Sequence, residues 1–468
     1  MIRKMVHYYW VAVLVLTGCD YQQPLPNVIL ILADDQGWVD LGSYGSDDLL
    51  TPHLDELATN GLRFTDFYSV AASCSPSRAA FLTGMYPQRI GIPNVLMPQS
   101  KRGLHPQERT LAEMLKELGY ATAIFGKWHL GHDSLHLPIS HGFDEYFGIP
   151  YSNDMTPDAI KNPNPFARQH PPVPLVDGFS TMELEPDQSL LTKRYTQRAI
   201  AFIESNRDSP FFLYMPHTFP HVPLFVSDAF EDQSGAGLYG DVIMEMDWSV
   251  GQIIATLDHL QLTRNTLVIF SSDNGPWLIK GDHSGRAGPL REGKGTTFEG
   301  GHRVPMIMSW PGVITPRVTS AVSSSMDIMP TIAEIIQAPM GSFPFDGQSL
   351  VDVINGEPSP HDALFFYHVH ELQAVRSGPW KLHVPHRYRT MDGASLSTPT
   401  FQGAYRQDSI PLSLFHLESD PGESTNLAST HPDIVNQLMG YLAEMREDLG
   451  DALSDTEGRN RRPSRSTP

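Results

Sequence analysis

Two pairs of oxygen-bearing side chains, Asp34-Asp35 and Asp273-Asn274, each follow an apolar run. Carboxylates and an amide carbonyl, with no thiolate or imidazole among them, suit a hard cation such as Ca2+ or Mg2+. Either pair alone reads first as a turn former closing a strand; the two together point to a shared cation. A second group is Ser73-Cys74-Ser75-Pro76-Ser77-Arg78, continuing through Ala79 to Gly84. Ser75 is a predicted N-cap with Pro76 at the first helical position. Cys74 then sits at a helix mouth, where free N–H groups and the helix dipole favour an anion. Arg78, one turn in, can point back to the same spot. A lone cysteine is otherwise most often inert packing.

Three further segments carry candidate chemistry. In Lys127-Trp128-His129, a cation and an imidazole two residues apart project to the same side of an extended chain. In the segment from Pro216 to Pro223, prolines stiffen a loop bearing His217 and His221. Either histidine could donate a proton to a leaving alcohol. Lys294, between Gly293 and Gly295, can approach an anion closely, although the spacing is not that of a P-loop. Taken singly, these are also a surface lysine and loop histidines.

All of these residues must be delivered by strand ends. Asn27–Ala33 is a continuous apolar, β-branched run too short for a helix. Similar runs cover 121–125, 211–215, 266–271 and 306–310, and they alternate with helical patterns at 111–118 and 241–260. Thr110 to Glu113 reads as a capping box. The alternation predicts an α/β domain with a large, mostly parallel sheet flanked by helices. In such sheets ligands bind outside the carboxyl ends of the strands. From about Asp346 the runs shorten to 363–367, 373–376 and 380–384, as in an antiparallel meander. A final amphipathic helix starts near Pro432. The expected organisation is a catalytic domain over 27–345, an antiparallel sheet plus helix subdomain over 346–455, and a disordered tail over 456–468.

The N-terminus reads as a targeting segment over 1–18. Arg3 and Lys4 precede an apolar stretch from Tyr8 to Leu16, too short to span a bilayer. Leu16-Thr17-Gly18-Cys19 resembles a bacterial lipobox, which implies lipid on Cys19, a linker over 19–26 and an exported, membrane-anchored protein, periplasmic or at the cell surface. Only Cys19 and Cys74 are present among 468 residues, so a lipidated Cys19 excludes an intramolecular disulfide. A hydrophobic fraction of 40% excludes a disordered chain, and a net charge of −20 argues against nucleic acid as a partner.

Together these segments resemble the formylglycine-dependent sulfatases of the arylsulfatase and N-acetylgalactosamine-sulfatase type. The motif Cys-x-Pro-Ser-Arg-x-x-x-Leu-Thr-Gly is matched at Cys74, Pro76, Ser77, Arg78, Leu82, Thr83 and Gly84. The segments from Gly126 to Gly131, Gly293 to Gly301 and Asp420 to Leu427 match as well. The resemblance implies an alkaline phosphatase-like fold and hydrolysis of sulfate esters, with a sulfated saccharide as substrate. It implies that a maturation enzyme oxidises Cys74 to formylglycine. It implies one Ca2+ held by Asp34, Asp35, Asp273, Asn274 and residue 74. Arg78, Lys127 and Lys294 would then hold the sulfate, His221 would protonate the leaving alcohol, and His129 would serve the second hydroxyl of the hydrated aldehyde. Outside the matched motifs, His283, Arg286, His370 and Arg387 are expected to line substrate subsites, because a His/Arg cluster suits an anionic sugar. A phosphodiesterase or phosphonate monoester hydrolase of the same superfamily, and a non-catalytic glycan-binding lipoprotein, are the competing readings. Oligomeric state and ring position of the sulfate are not legible.

Overall fold

The computed structural model describes residues 25–158, 168–339, 345–397 and 403–462, so the targeting segment, Cys19 and the last residues of the tail lie outside the described residues. A ten-stranded sheet has the order Arg317–Thr319, Leu62–Phe64, Met306–Ser309, Thr266–Ser272, Asn27–Ala33, Phe211–Pro216, Ala121–Phe125, Glu145–Gly148, Pro174–Asp177, Ser180–Leu184. The strands from Thr266–Ser272 to Glu145–Gly148 are mutually parallel. Asn27–Ala33 has a parallel neighbour on each side and is buried along its whole length. Its side chains alternate. Val28, Leu30 and Leu32 enter one core, and Ile29, Ile31 and Ala33 enter the core on the opposite face. Helices Cys74–Thr83, Leu111–Glu117 and Ile328–Ile335 cover the first face. Helices Pro52–Thr59, Leu191–Ser205 and Gly237–His259 cover the second. Truncating Leu30 to alanine in such a core costs about 2–5 kcal/mol.

The predicted capping box is present: Glu113 N donates to Thr110 Oγ1 at 3.1 Å and Thr110 N to Glu113 Oε2 at 2.8 Å. Two expectations are corrected. Met306–Ser309 was expected to continue the parallel pattern and instead runs antiparallel to both neighbours. After Thr266–Ser272 the chain builds loops at the carboxyl end of the sheet and re-enters from that same end. The helix after Ser73 begins at Cys74 itself, with extended Ser73 in the N-cap position and Pro76 inside the first turn. The Ser75 hydroxyl instead accepts from Leu96 N at 3.0 Å.

The C-terminal part is a four-stranded antiparallel sheet, Leu364–His368, Glu371–Ser377, Trp380–His383 and Ser413–His416. Helix Pro432–Leu449 packs Leu438, Leu442 and Leu449 against Leu372, Val375 and Leu382. A hairpin, His386–Ser395 with Ala404–Ile410, was not foreseen. A buried ionic cluster fixes this part to the main sheet. Lys381 Nζ lies 2.9 Å from Glu299 and 3.1 Å from Glu423, and Arg376 Nη2 lies 2.8 Å from Asp66. Residues 456–462, expected as disordered tail, are packed: Arg459 N donates to Glu447 O at 3.0 Å and Arg462 N to Arg89 O at 2.7 Å.

Candidate active site

Ala33 pairs with Ser272 in register, so two parallel strands release Asp34 and Asp273 side by side. Asp273 N donates to Ala33 O at 3.0 Å, and Asp35 N donates to Asp273 Oδ1 at 3.1 Å. Asp35 adopts φ 65°, a left-handed conformation uncommon for a non-glycine residue and typical of functional turns. The turn swings its carboxylate toward Cys74 at the head of the neighbouring helix. Cys74 Sγ lies 3.4 Å from Asp34 Oδ1 and 3.9 Å from Asp35 Oδ1.

Cations surround these carboxylates. Lys127 Nζ is 2.5 Å from Asp34 Oδ2 and donates to Ser152 Oγ at 3.1 Å. Arg78 Nε binds Asp273 Oδ2 at 2.9 Å, and its Nη2 lies 3.4 Å from Asp34. Lys294 Nζ reaches both oxygens of Asp35, at 2.6 and 2.7 Å, and Cys74 Sγ at 3.2 Å. Burial by itself would raise the Asp34 carboxyl, but Lys127 and Arg78 hold it well below the usual carboxylate range. Asp35 is raised, by burial first, with Lys294 opposing. Asp273 is pushed up to about 7 by burial and then by the Asp34 charge. Burial and Asp34 push the Cys74 thiol well up, so as a cysteine this residue stays protonated and is a poor nucleophile.

Both histidines carry readable tautomers. His129 Nε2 lies 3.1 Å from Leu96 O, which can only accept. The ring proton therefore sits on Nε2, and buried Nδ1, without a hydrogen-bond partner among the described residues, presents its lone pair. His221 Nδ1 lies 2.6 Å from Val222 O, so Nδ1 carries the proton and Nε2 faces Asp35 Oδ2 at 3.6 Å. Burial lowers both imidazoles well below the usual range, with Lys127 adding for His129 and Lys294 for His221. His217 is buried with neither ring nitrogen partnered among the described residues, and it does not line the cleft. Of the two loop histidines, only His221 reaches the chemistry.

Asp34, Asp35, Cys74 and His221 offer ligand atoms within 4.8 Å of one another, a grouping able to hold a metal ion. The buried Asn274 Oδ1 has no hydrogen-bond partner among the described residues, while its Nδ2 donates to Asp35 Oδ1 at 2.7 Å. That orphaned carbonyl beside two carboxylates fits a hard cation. Asp273, expected as a ligand, has one oxygen taken by Arg78 and the other by the Asp35 amide, and it stands outside that four-residue grouping.

The family profile described as Sulfatase matches residues 26–338, and that described as the C-terminal region of aryl-sulfatase matches 359–466. The chain belongs to the sulfatase family. Arylsulfatase A of Bos taurus is 40% identical over 445 residues, covering 90% of this chain and 87% of that protein. N-acetylgalactosamine-6-sulfatase of Canis lupus familiaris is 38% identical, covering 88% and 84%. The crystal structure of Ps i-CgsB in complex with k-i-k-neocarrahexaose superposes with a TM-score of 0.75 at 28% identity, covering 90% of this chain and 92% of that one. The sulfatase is a sulfuric ester hydrolase with the alkaline phosphatase-like fold expected from its motifs.

In this sulfatase the site opens into a cleft of about 420 Å³ lined by Cys74, His129, His221 and Lys294 below, and by C-terminal residues above. Of the four residues expected to line subsites, Arg387 lines this cleft. The other three expectations are corrected. His283 is exposed elsewhere, and Arg286 is drawn away into ion pairs with Asp48 at 2.9 Å and Asp40 at 3.5 Å. His370 sits in the turn before Glu371–Ser377, and it is His368 on the preceding strand that reaches the cleft. Sequence reading missed Ser152, which Lys127 contacts, and Trp277, whose ring lies 5.5 Å from that of His221. Trp277 follows Asn274 by three residues, a position that was readable; nothing marked Ser152.

Proposed function

We propose that the chain removes sulfate from sulfated carbohydrates, using a formylglycine made from Cys74 and a bound Ca2+. The observation that carries this reading is the meeting of Cys74 with Asp34, Asp35 and Lys294 at the floor of an open cleft. Formylglycine at position 74 would, once hydrated, supply a geminal diol, with one hydroxyl as nucleophile toward sulfur and a second whose deprotonation would let sulfate leave by carbon–oxygen cleavage. Bound Ca2+ supplies charge stabilisation for the sulfate oxygens, and Asp34, Asp35, Asn274 and residue 74 would hold it.

The chain's own side chains divide the remaining work. Lys127, Lys294 and Arg78 are preorganised by buried partners, so they spread negative charge without reorganising in the transition state. His221 lines the cleft with Nε2 3.6 Å from Asp35 Oδ2; with Nδ1–H held by Val222 O, its Nε2 must first take up a proton, and the resulting imidazolium is placed to protonate the leaving alcohol. The bare Nδ1 of His129 is placed to accept a proton from the second hydroxyl. A carbohydrate substrate is supported by the sugar complex of Ps i-CgsB and by the relative that acts on N-acetylgalactosamine sulfate. The lipobox-like Leu16-Thr17-Gly18-Cys19 supports an exported, lipid-anchored enzyme, and the motif from Cys74 to Gly84 supports maturation by a formylglycine-generating enzyme.

The test compares sulfate release with phosphate release from matched nitrophenyl esters and from defined sulfated sugars. The protein used is one whose residue-74 peptide shows the aldehyde mass. Preferred turnover of the sulfate esters is expected. Equal or faster phosphate release would refute the reading.

A further inference from the structure

We propose that Arg387 and Arg389 form a subsite for a second anionic group on the substrate, a carboxylate or a further sulfate, and that Arg389 ties this subsite to Lys294; this rests on the sulfate-ester reading above. The two arginines stand at alternate positions of strand His386–Ser395 and so share a face, with Gln407 opposite Arg389 across the hairpin. Arg387, Arg389, Gln407 and His368 all line the cleft that contains Cys74 and Lys294.

Neither guanidinium has a carboxylate partner among the described residues. Arg387 is exposed and makes no ion pair there. Arg389 donates to Lys294 O at 2.6 Å, lies 4.8 Å from the Tyr405 ring centroid, and leaves its buried Nε without a partner. Acidic groups nearby are engaged otherwise. Glu292 accepts from Thr390 Oγ1 at 2.6 Å and Met391 N at 2.9 Å, Glu371 from Gln373 Nε2 at 2.7 Å, and Asp408 from Tyr388 Oη at 3.4 Å. In a chain of net charge −20, two uncompensated guanidinium groups on one face of one cleft are arranged to take an anion from outside. Their planar forks match carboxylate and sulfate oxygens, and a flanking aromatic face favours arginine over lysine.

The link to Lys294 is direct. Arg389 holds the carbonyl of the residue whose Nζ lies 3.2 Å from Cys74 Sγ. A Cβ on Gly295 would fall 1.7 Å from Arg389 Nη2, so the guanidinium lies flat on this loop. Arg389 is thus a positioning residue for Lys294 as well as a wall of the subsite.

Two measurements test this. The first compares kcat/KM for a neutral monosulfated disaccharide, a uronate-bearing monosulfated disaccharide and a disulfated disaccharide. The second titrates the full-length Cys74→Ala protein calorimetrically with the same three compounds. One or both dianionic compounds are expected to be preferred by about tenfold or more, the worth of a charge-assisted hydrogen bond, and which of them is preferred separates carboxylate from sulfate. Arg387→Gln should collapse that preference mainly through KM. Arg389→Gln should also lower kcat on all three compounds, while Arg389→Lys should restore part of the preference. Equal binding of all three compounds, or a preference that both variants leave intact, overturns the proposal. Absence of turnover on every ester would refute the sulfatase reading itself, while the calorimetric arm still decides the subsite.

Discussion

Lys127 Nζ and Asp34 Oδ2 lie 2.5 Å apart although 93 residues separate them in sequence, and neither side chain is exposed. The pair joins the ends of two strands on either side of Phe211–Pro216. Gly126 makes this possible: with φ 140° and only 1.9 Å between a notional Cβ and Pro216 O, the turn that delivers Lys127 admits no side chain there.

Removing Lys127 therefore has two consequences. Lys127→Ala leaves the buried Asp34 carboxylate short of its closest cation, which costs about 3–5 kcal/mol of stability. It also removes a cation proposed above to hold the sulfate. Denaturant unfolding and kcat are both expected to fall. Wild-type stability in this variant would contradict the geometry.

His221→Ala should lower kcat by about 10²–10⁴ for esters of poor leaving alcohols, the range of general acid catalysis, and by much less for nitrophenyl sulfate. The check is kcat across a series of leaving-group acidities. A drop uniform across the series would assign the acid elsewhere.

Calcium should stabilise the folded protein by mass action, so the thermal midpoint rises with Ca2+ concentration and falls on chelation. Asn274→Ala and Asp35→Asn should blunt that response. A midpoint indifferent to Ca2+ would contradict the assigned ligand set without reference to activity.

The buried cluster at the domain junction sets a pH dependence. Glu423 is pushed up to about 7 by burial, with Lys381 opposing, from an ordinary value of 4.5. A raised carboxyl contributes stability that is full below the unfolded value and lost as pH rises through about 7. Glu299 behaves oppositely. Burial would raise it, but Lys381 and Arg303 bring it down to about 2, so its contribution is present above 4.5 and lost as pH falls through about 2. Denaturant melts from about pH 5 to pH 8 should show Glu423→Gln gaining stability relative to wild type as pH rises. A constant difference would refute the assignment.

The residues that meet in the candidate site were legible because short motifs sit at strand ends, and strand ends are fixed by apolar runs. Asn27–Ala33 and Thr266–Ser272 were readable as buried parallel strands, and their register brings Asp34 to Asp273. Side chains chosen by composition rather than by strand position fared differently. His283 ends a short 3-10 helix, Leu278–His283, and Arg286 lies in the loop after it, held by ion pairs with Asp40 and Asp48, far away in sequence. The hairpin carrying Arg387 and Arg389 exposes much of its surface, so it lacks the apolar alternation that marks a buried strand. Residue type and loop position do not separate His217 from His221, and it is the family resemblance that points to His221. Only tertiary structure aims His221 at Asp35 and buries His217 without partners.

The most direct measurement is inorganic sulfate released from a sulfated sugar by aldehyde-bearing wild type and by Cys74→Ala, quantified side by side. Stoichiometric sulfate with wild type and none above background with the variant is the predicted result. Sulfate release that survives loss of residue 74 would contradict the account.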